Sequence, residues 1–342
     1  MAPLNLDTAS VFPFDLHRYA LKVRYYRLAR HALHEVFTCM QILPGDRVLL
    51  PAFICRDLLA PIHAAGAVPV FYEVDRDLRP LELPVSGRVR AVLAVNYFGF
   101  PQDLLVFRRY CAKYGAVLIE DNAHGLLSCD AAGRLLGERG DFGIFSIRKT
   151  FLLPDGAMLM ANTQEWQSCL SEQLPFSRES LPLSFWLNYG LSRIERNTGI
   201  AFHALGQELI RKFRYLRTGY PIATSQSADE FELPLLPAPH HVSMSMFAKQ
   251  DFAGEIGRRR RLYGEFHKLF SSMHIKPLFN ELPEGTVPYC YPFYAEERAA
   301  QQVTRVARSR GFDCIHWPAL PAAVESEAPL HYRTLWLVNF LC

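Results

Sequence analysis

Val117-Leu118-Ile119-Glu120-Asp121-Asn122-Ala123-His124 is an apolar run that ends on two acids and, three residues further, a histidine. About twenty residues later, Phe142-Gly143-Ile144-Phe145-Ser146-Ile147 runs in the same way into Arg148-Lys149. Both runs are uniformly apolar rather than alternating, which predicts strands covered on both faces of a mostly parallel sheet. Ligands of such sheets bind beyond the carboxyl ends of the strands. The acid, the histidine and the lysine are therefore expected at one sheet edge.

Upstream, the same pattern repeats. Val48–Leu50, Val68–Tyr72 and Ala91–Val95 read as further strands. Between them, Leu58–Ala65 and Gln102–Tyr114 read as helices, closed by Gly66 and Gly115. Leu21–Met40 carries apolar residues at helical spacing up to Pro44-Gly45. Strand and helix in alternation predict an α/β fold. Gly133, Gly137, Gly140 and Gly143 precede a strand instead of joining one to a helix, so they read as turns and not as a nucleotide fingerprint. Downstream the pattern changes: 181–193 is rich in aromatics and 231–241 in proline, a helix is expected over about 246–270, a strand over 289–293 and a helix over 299–310. The expected organisation is a large α/β domain over 1–245 and a smaller C-terminal α+β domain over 246–342.

Bulk composition removes several classes. Of 342 residues, 50% are hydrophobic and 21% charged, enough for a sizeable core. A net charge of +3 is too mild for nucleic acid to be the main partner. The one basic cluster, Arg258–Arg261, lies between Glu255 and Glu265 at helical spacing and reads as a solvated helix face. Eight irregularly spaced cysteines without a Cys-x-x-Cys pair speak against zinc and against a disulfide framework. With no basic start, leader-like run or membrane span in the sequence, the expectation is a cytoplasmic protein without metal or membrane association.

Pyridoxal phosphate asks for the residues found at the expected edge. A lysine amine must hold its aldehyde as a Schiff base, and a carboxylate must keep its pyridine nitrogen protonated. Taken singly, each residue has an ordinary reading as well: Asp121 as a helix cap, Lys149 as surface, His124 as a packed ring.

The order of the surrounding blocks goes further. Pro44-Gly45-Asp46-Arg47-Val48, Pro51, Ala65-Gly66-Ala67-Val68-Pro69-Val70 and Phe98-Gly99-Phe100-Pro101-Gln102-Asp103 resemble the opening of the DegT/DnrJ family of sugar aminotransferases. So do Ile119-Glu120-Asp121-Asn122-Ala123-His124-Gly125, Gly140–Ser146, and Lys149 followed by Pro154-Asp155-Gly156. Met244-Ser245, Arg259-Arg260 and the stretch from Arg305 to Pro318 resemble the family's helical link and small domain, whereas 164–235 is poorly matched.

The resemblance implies a PLP-dependent transferase of fold type I, with pyridoxal 5'-phosphate as cofactor. Lys149 would carry the Schiff base and move the proton, Asp121 would pair with the pyridine nitrogen, and His124 would sit near the phenolic oxygen. Ser146 would bond the phosphate, together with the opening of the first helix, where Ala29-Arg30-His31-Ala32 replaces a Gly-Thr pair; Arg30 and His31 thus join the cofactor-binding candidates. An amino group would pass from a donor such as glutamate to a keto-sugar, nucleotide-linked, in polysaccharide biosynthesis, by a homodimer with shared active sites. A dehydratase of the same family would carry a histidine where Lys149 stands. A regulatory or binding protein of the same fold is the reading from another class.

Several positions depart from the family pattern. The Ser146–Lys149 spacing is two residues short, Asp155-Gly156-Ala157 replaces Glu-Gly-Gly, the aromatic that stacks on the cofactor falls at Cys55, and His241-Val242-Ser243 replaces Asn-Tyr-Arg. The end at Leu341-Cys342 is expected to be a truncated or atypical C-terminus.

Overall fold

The computed structural model describes residues 23–85, 87–198 and 227–341. Its strands are β1 (Val23–Tyr26), β2 (Arg47–Pro51), β3 (Val68–Tyr72), β4 (Val89–Val95), β5 (Val117–Asp121), β6 (Phe142–Phe145) and β7 (Ala157–Ala161), then β8 (Lys276–Pro277), β9 (Cys290–Tyr294), β10 (Cys314–His316) and β11 (Leu335–Asn339). Its helices are α1 (Ala29–Cys39), α2 (Ala60–Ala64), α3 (Leu105–Tyr114), α4 (Ile147–Thr150), α5 (Gln164–Cys169), α6 (Leu183–Thr198), α7 (His241–Phe247), α8 (Phe252–Ser272), α9 (Glu297–Arg308), α10 (Ala322–Glu325) and α11 (Leu330–Arg333).

The first seven strands form one sheet in the order β1-β7-β6-β5-β4-β2-β3. It is parallel from β3 to β6, and β7 runs antiparallel to both of its neighbours. Strands β4 to β7 are buried almost throughout, as their unbroken apolar runs require. The last four strands form a separate antiparallel sheet, order β10-β11-β9-β8. The fold class expected from the sequence, α/β with a mostly parallel sheet and a smaller α+β region, is the one observed. No helix among the described residues is long and apolar enough to cross a membrane.

Two helices expected from periodicity are each interrupted. Of the helix expected over 21–40, Val23–Tyr26 is a strand, registered Val23↔Met160 to Tyr26↔Ala157 on β7, and the helix begins only at Ala29. Val-Arg-Tyr-Tyr suits a pleated edge, and the ladder it makes with β7 outweighs the helical spacing. Residues 21 and 22 lie outside the described residues. The helix expected over 246–270 is α7 and α8, because the Asp251 carboxylate accepts the Gly254 N–H at 2.9 Å and so caps a new helix.

The turn reading fits Gly133 and Gly137 but is corrected for Gly143, which is a residue of β6. Gly133 and Gly137 take φ of +75° and +98°, as turns demand. Gly143, inside β6, has no room for a Cβ because the Gly137 carbonyl lies against it. The glycine-rich turn thus folds back onto the strand that leads to Lys149.

Candidate active site

Parallel pairing of β4, β5 and β6 sets Val95 beside Asp121 and Asp121 beside Ile144, so the strand ends meet at one edge. There a pocket is lined by Asp121 and His124, by Ser146, Arg148 and Lys149, by Leu28–Arg30 at the start of α1, and by Cys55, Asp57 and Trp317. Of the residues singled out from the sequence, Asp121, His124, Ser146, Lys149 and Arg30 come together. His31 stands apart: its ring Nε2 is 2.8 Å from the Pro234 carbonyl, and it is not on the lining.

Each side chain has its own support. The Lys149 Nζ lies 3.2 Å from His124 Nε2. The His124 ring is stacked between Phe98 and Tyr289, each at 7° to it, with centroids at 5.5 and 4.5 Å. Burial, aided by the Lys149 charge, holds its imidazole well below the ordinary histidine range, so the ring is neutral at pH 7. Asp121 is buried, with one oxygen accepting the Ala123 N–H at 3.0 Å. Burial raises its carboxyl above the usual range, while the Ala123 N–H and Lys149 pull it back and Asp57 pushes it further up. An acid in that state calls for a cationic partner across the pocket.

At the other wall, α1 begins without a side-chain cap on Leu28 and without an acid in its first turn. The His31 N–H already donates to the Leu28 carbonyl at 3.0 Å, and the positive end of the helix dipole suits an anion. Ser146, buried at the end of β6, makes no capping bond.

Three contributors escaped the sequence reading. Trp317 comes from the small region and packs on Phe53 (5.2 Å), Phe98 (5.0 Å) and His124 (5.4 Å), closing the pocket from that side. Asp57 lines it from the turn that also holds Cys55, whose thiol burial pushes up to about 12. Arg259 corrects the reading of Arg258–Arg261 as a solvated face. It is 1% exposed, donates to Glu255 at 2.6 Å and to the Tyr289 carbonyl at 2.8 Å, and reaches the Thr150 carbonyl at 2.7 Å. It thereby ties the turn that bears Lys149 to the small sheet. Only Arg261, paired with Glu265 at 4.0 Å, keeps an exposed face. The i, i+4 spacing of Glu255 and Arg259 signals a pair in either setting, so burial was not readable from it.

Two of the departures acquire a structural account. Asp155 accepts the His240 N–H at 3.1 Å and the Ser243 hydroxyl at 2.5 Å, and lies 3.3 Å from Arg27. His241 donates its backbone N–H to the Ser177 carbonyl at 2.9 Å. The segment 240–243 therefore clamps the chain just beyond Lys149.

Residues 28–172 match the family model described as the DegT/DnrJ/EryC1/StrS aminotransferase family. GDP-perosamine synthase of Vibrio cholerae is 30% identical over 139 residues, which is 39% of this chain and 38% of that protein. The chain thus matches well under half the length of that curated relative. DesV of S. venezuelae, solved in complex with a ketimine intermediate, has a TM-score of 0.63 at 18% identity, covering 99% of this chain and 84% of its own. NtdA of Bacillus subtilis, solved with bound cofactor PMP, has a TM-score of 0.63 at 14% identity, covering 99% and 73%. The chain therefore resembles the DegT/DnrJ/EryC1/StrS aminotransferases, in sequence over residues 28–172 and in fold over nearly its whole length.

Proposed function

We propose that this chain is an aminotransferase that works with pyridoxal 5'-phosphate and passes an amino group from a donor such as glutamate to a nucleotide-linked keto-sugar. The observation that carries the reading is the Lys149 amine, 3.2 Å from His124 in a pocket shared with buried Asp121. Relatives support it: one is a GDP-perosamine synthase by name, and another binds PMP, the aminated form of the cofactor.

The residues fit the group. Asp121 has an under-neutralised carboxyl to set against a protonated pyridine nitrogen, and the positive end of α1, Ser146 and Arg30 suit a phosphate. When bound, the cofactor supplies an electron sink for breaking and making bonds at the substrate carbon. The chain's own part is proton handling and enclosure. Lys149 Nζ holds the proton to be moved, and neutral His124 offers it one ring nitrogen without competing as a second cation. The Phe98–His124–Tyr289 stack fixes that nitrogen in place. Trp317 covers the His124 ring from the side.

Pyridoxal phosphate followed by borohydride should leave one covalent adduct, on Lys149, and Lys149→Ala should lose both adduct and turnover on keto-sugar nucleotides. Mass spectrometry that finds the adduct on another lysine, or none, defeats the reading.

The assembly belongs to the same proposal. Helix α6 presents Leu183, Trp186, Leu187 and Ile194 at 45–73% exposure, an apolar face that suits burial against a second copy. Light scattering that finds only a monomer at micromolar concentration, with full cofactor, counts against a homodimer. A cytoplasmic setting is consistent with the seven described cysteines, all free.

A further inference from the structure

Half-buried and buried arginines of this chain have, as a rule, an acceptor for the guanidinium, which is a backbone carbonyl for Arg24, Arg90 and Arg260 and an acid for others. Arg139 meets Glu120, Arg259 meets Glu255, Arg56 meets Glu230 and Glu325, and Arg27 meets Asp155 and Glu179. Arg148 breaks the rule. It lines the Lys149 pocket, its Nε is sealed from solvent with no hydrogen-bond partner, and it forms no ion pair with a described residue. Its backbone is not loose, since its N–H donates to the Gly156 carbonyl at 3.2 Å. Arg30 lines the same pocket and is likewise without an acidic partner among the described residues.

A guanidinium is always charged and presents a rigid fork of donors. Leaving that fork unfilled in a partly desolvated wall is costly, and an entering oxyanion would fill it two-pronged. The acids on this lining, Asp121 and Asp57, form no ion pair with it, which leaves the charge free for a ligand.

We propose that Arg148 is an oxyanion-binding side chain of the Lys149 pocket, acting with Arg30 from within the same chain. The inference rests on the aminotransferase reading for the identity of its ligand. Phosphate of the cofactor and carboxylate of the amino donor share the chemistry, and the test separates them.

Wild type, Arg148→Met and Arg148→Lys are each titrated with pyridoxal phosphate, with pyridoxal, with inorganic phosphate and, once loaded, with glutamate. Arg148→Met should weaken pyridoxal phosphate and inorganic phosphate about tenfold or more and leave pyridoxal unchanged, with partial recovery in Arg148→Lys. Unchanged phosphate binding with an equal loss in the glutamate response supports the proposal with carboxylate as the source. Wild-type values for all four ligands in Arg148→Met overturn it. If the wild type itself yields no adduct on Lys149, the aminotransferase reading fails. The inorganic phosphate titration then decides Arg148 alone: weakened binding in Arg148→Met upholds it, and no difference from wild type overturns it.

Discussion

Glu120 and Asp121 are consecutive on β5, both buried, and their side chains enter two different worlds. On one face, Glu120 accepts from the Gly137 N–H, from Asn96 at 3.2 Å and from Arg139 at 3.2 Å, while Arg139 also reaches Asn96 at 2.9 Å and the Gln102 carbonyl at 3.2 Å. Nearly every donor there has its acceptor. On the other face, among the described residues, Asp121 has one backbone partner, the Lys149 amine has only His124, and Arg148 has an orphaned nitrogen. The contrast separates a charge that is complete within the fold from charges held in reserve for something the fold does not contain. Strand alternation alone puts the two side by side, because successive side chains point to opposite faces.

Paired substitutions break the comparison most directly. Glu120→Ala leaves Arg139 charged, buried and short of its partner, and should cost about 3–5 kcal/mol of stability in denaturant unfolding. Asp121→Asn should barely move that midpoint and instead lower turnover at least about tenfold, as loss of a charge-assisted contact of roughly 1.5–3 kcal/mol implies. If the two variants exchange phenotypes, so that Asp121→Asn unfolds and Glu120→Ala is merely slow, the assignment of the two faces is wrong.

A smaller effect sharpens the same contrast through pH. His124 has a folded pKa below its ordinary 6.5, so below that pH the unfolded chain binds a proton that the native stack refuses. Stability is therefore fully present above 6.5 and lost as pH falls from there through the folded value. His124→Phe keeps a ring between Phe98 and Tyr289 and removes that proton. Its loss of stability over the pH unit below 6.5 should be smaller than wild type by up to about 1.4 kcal/mol. Some acid sensitivity will remain, because His31 and His34 are also lowered by burial. Equal pH slopes in thermal melts of the two proteins would show that His124 titrates freely.

The sequence by itself determined the parallel core and its working edge. Uniform apolar runs leave few options besides a sheet covered on both faces, and strand ends carrying Asp121 and Lys149 follow directly. It also carried the resemblance, since the blocks around the pocket are contiguous within 28–172. Only the tertiary structure decided which polar residues are satisfied. Periodicity could not tell that Val23–Tyr26 would pair with β7, that Arg259 would be buried under the lysine turn, or that His31 would face Pro234 instead of the pocket. Nor could it bring Trp317, 168 positions beyond Lys149, against His124. The physical reason is the same in each case. Local spacing sets which residues share a face of a strand or helix, whereas desolvation and the filling of donors depend on what other segments are packed against that face.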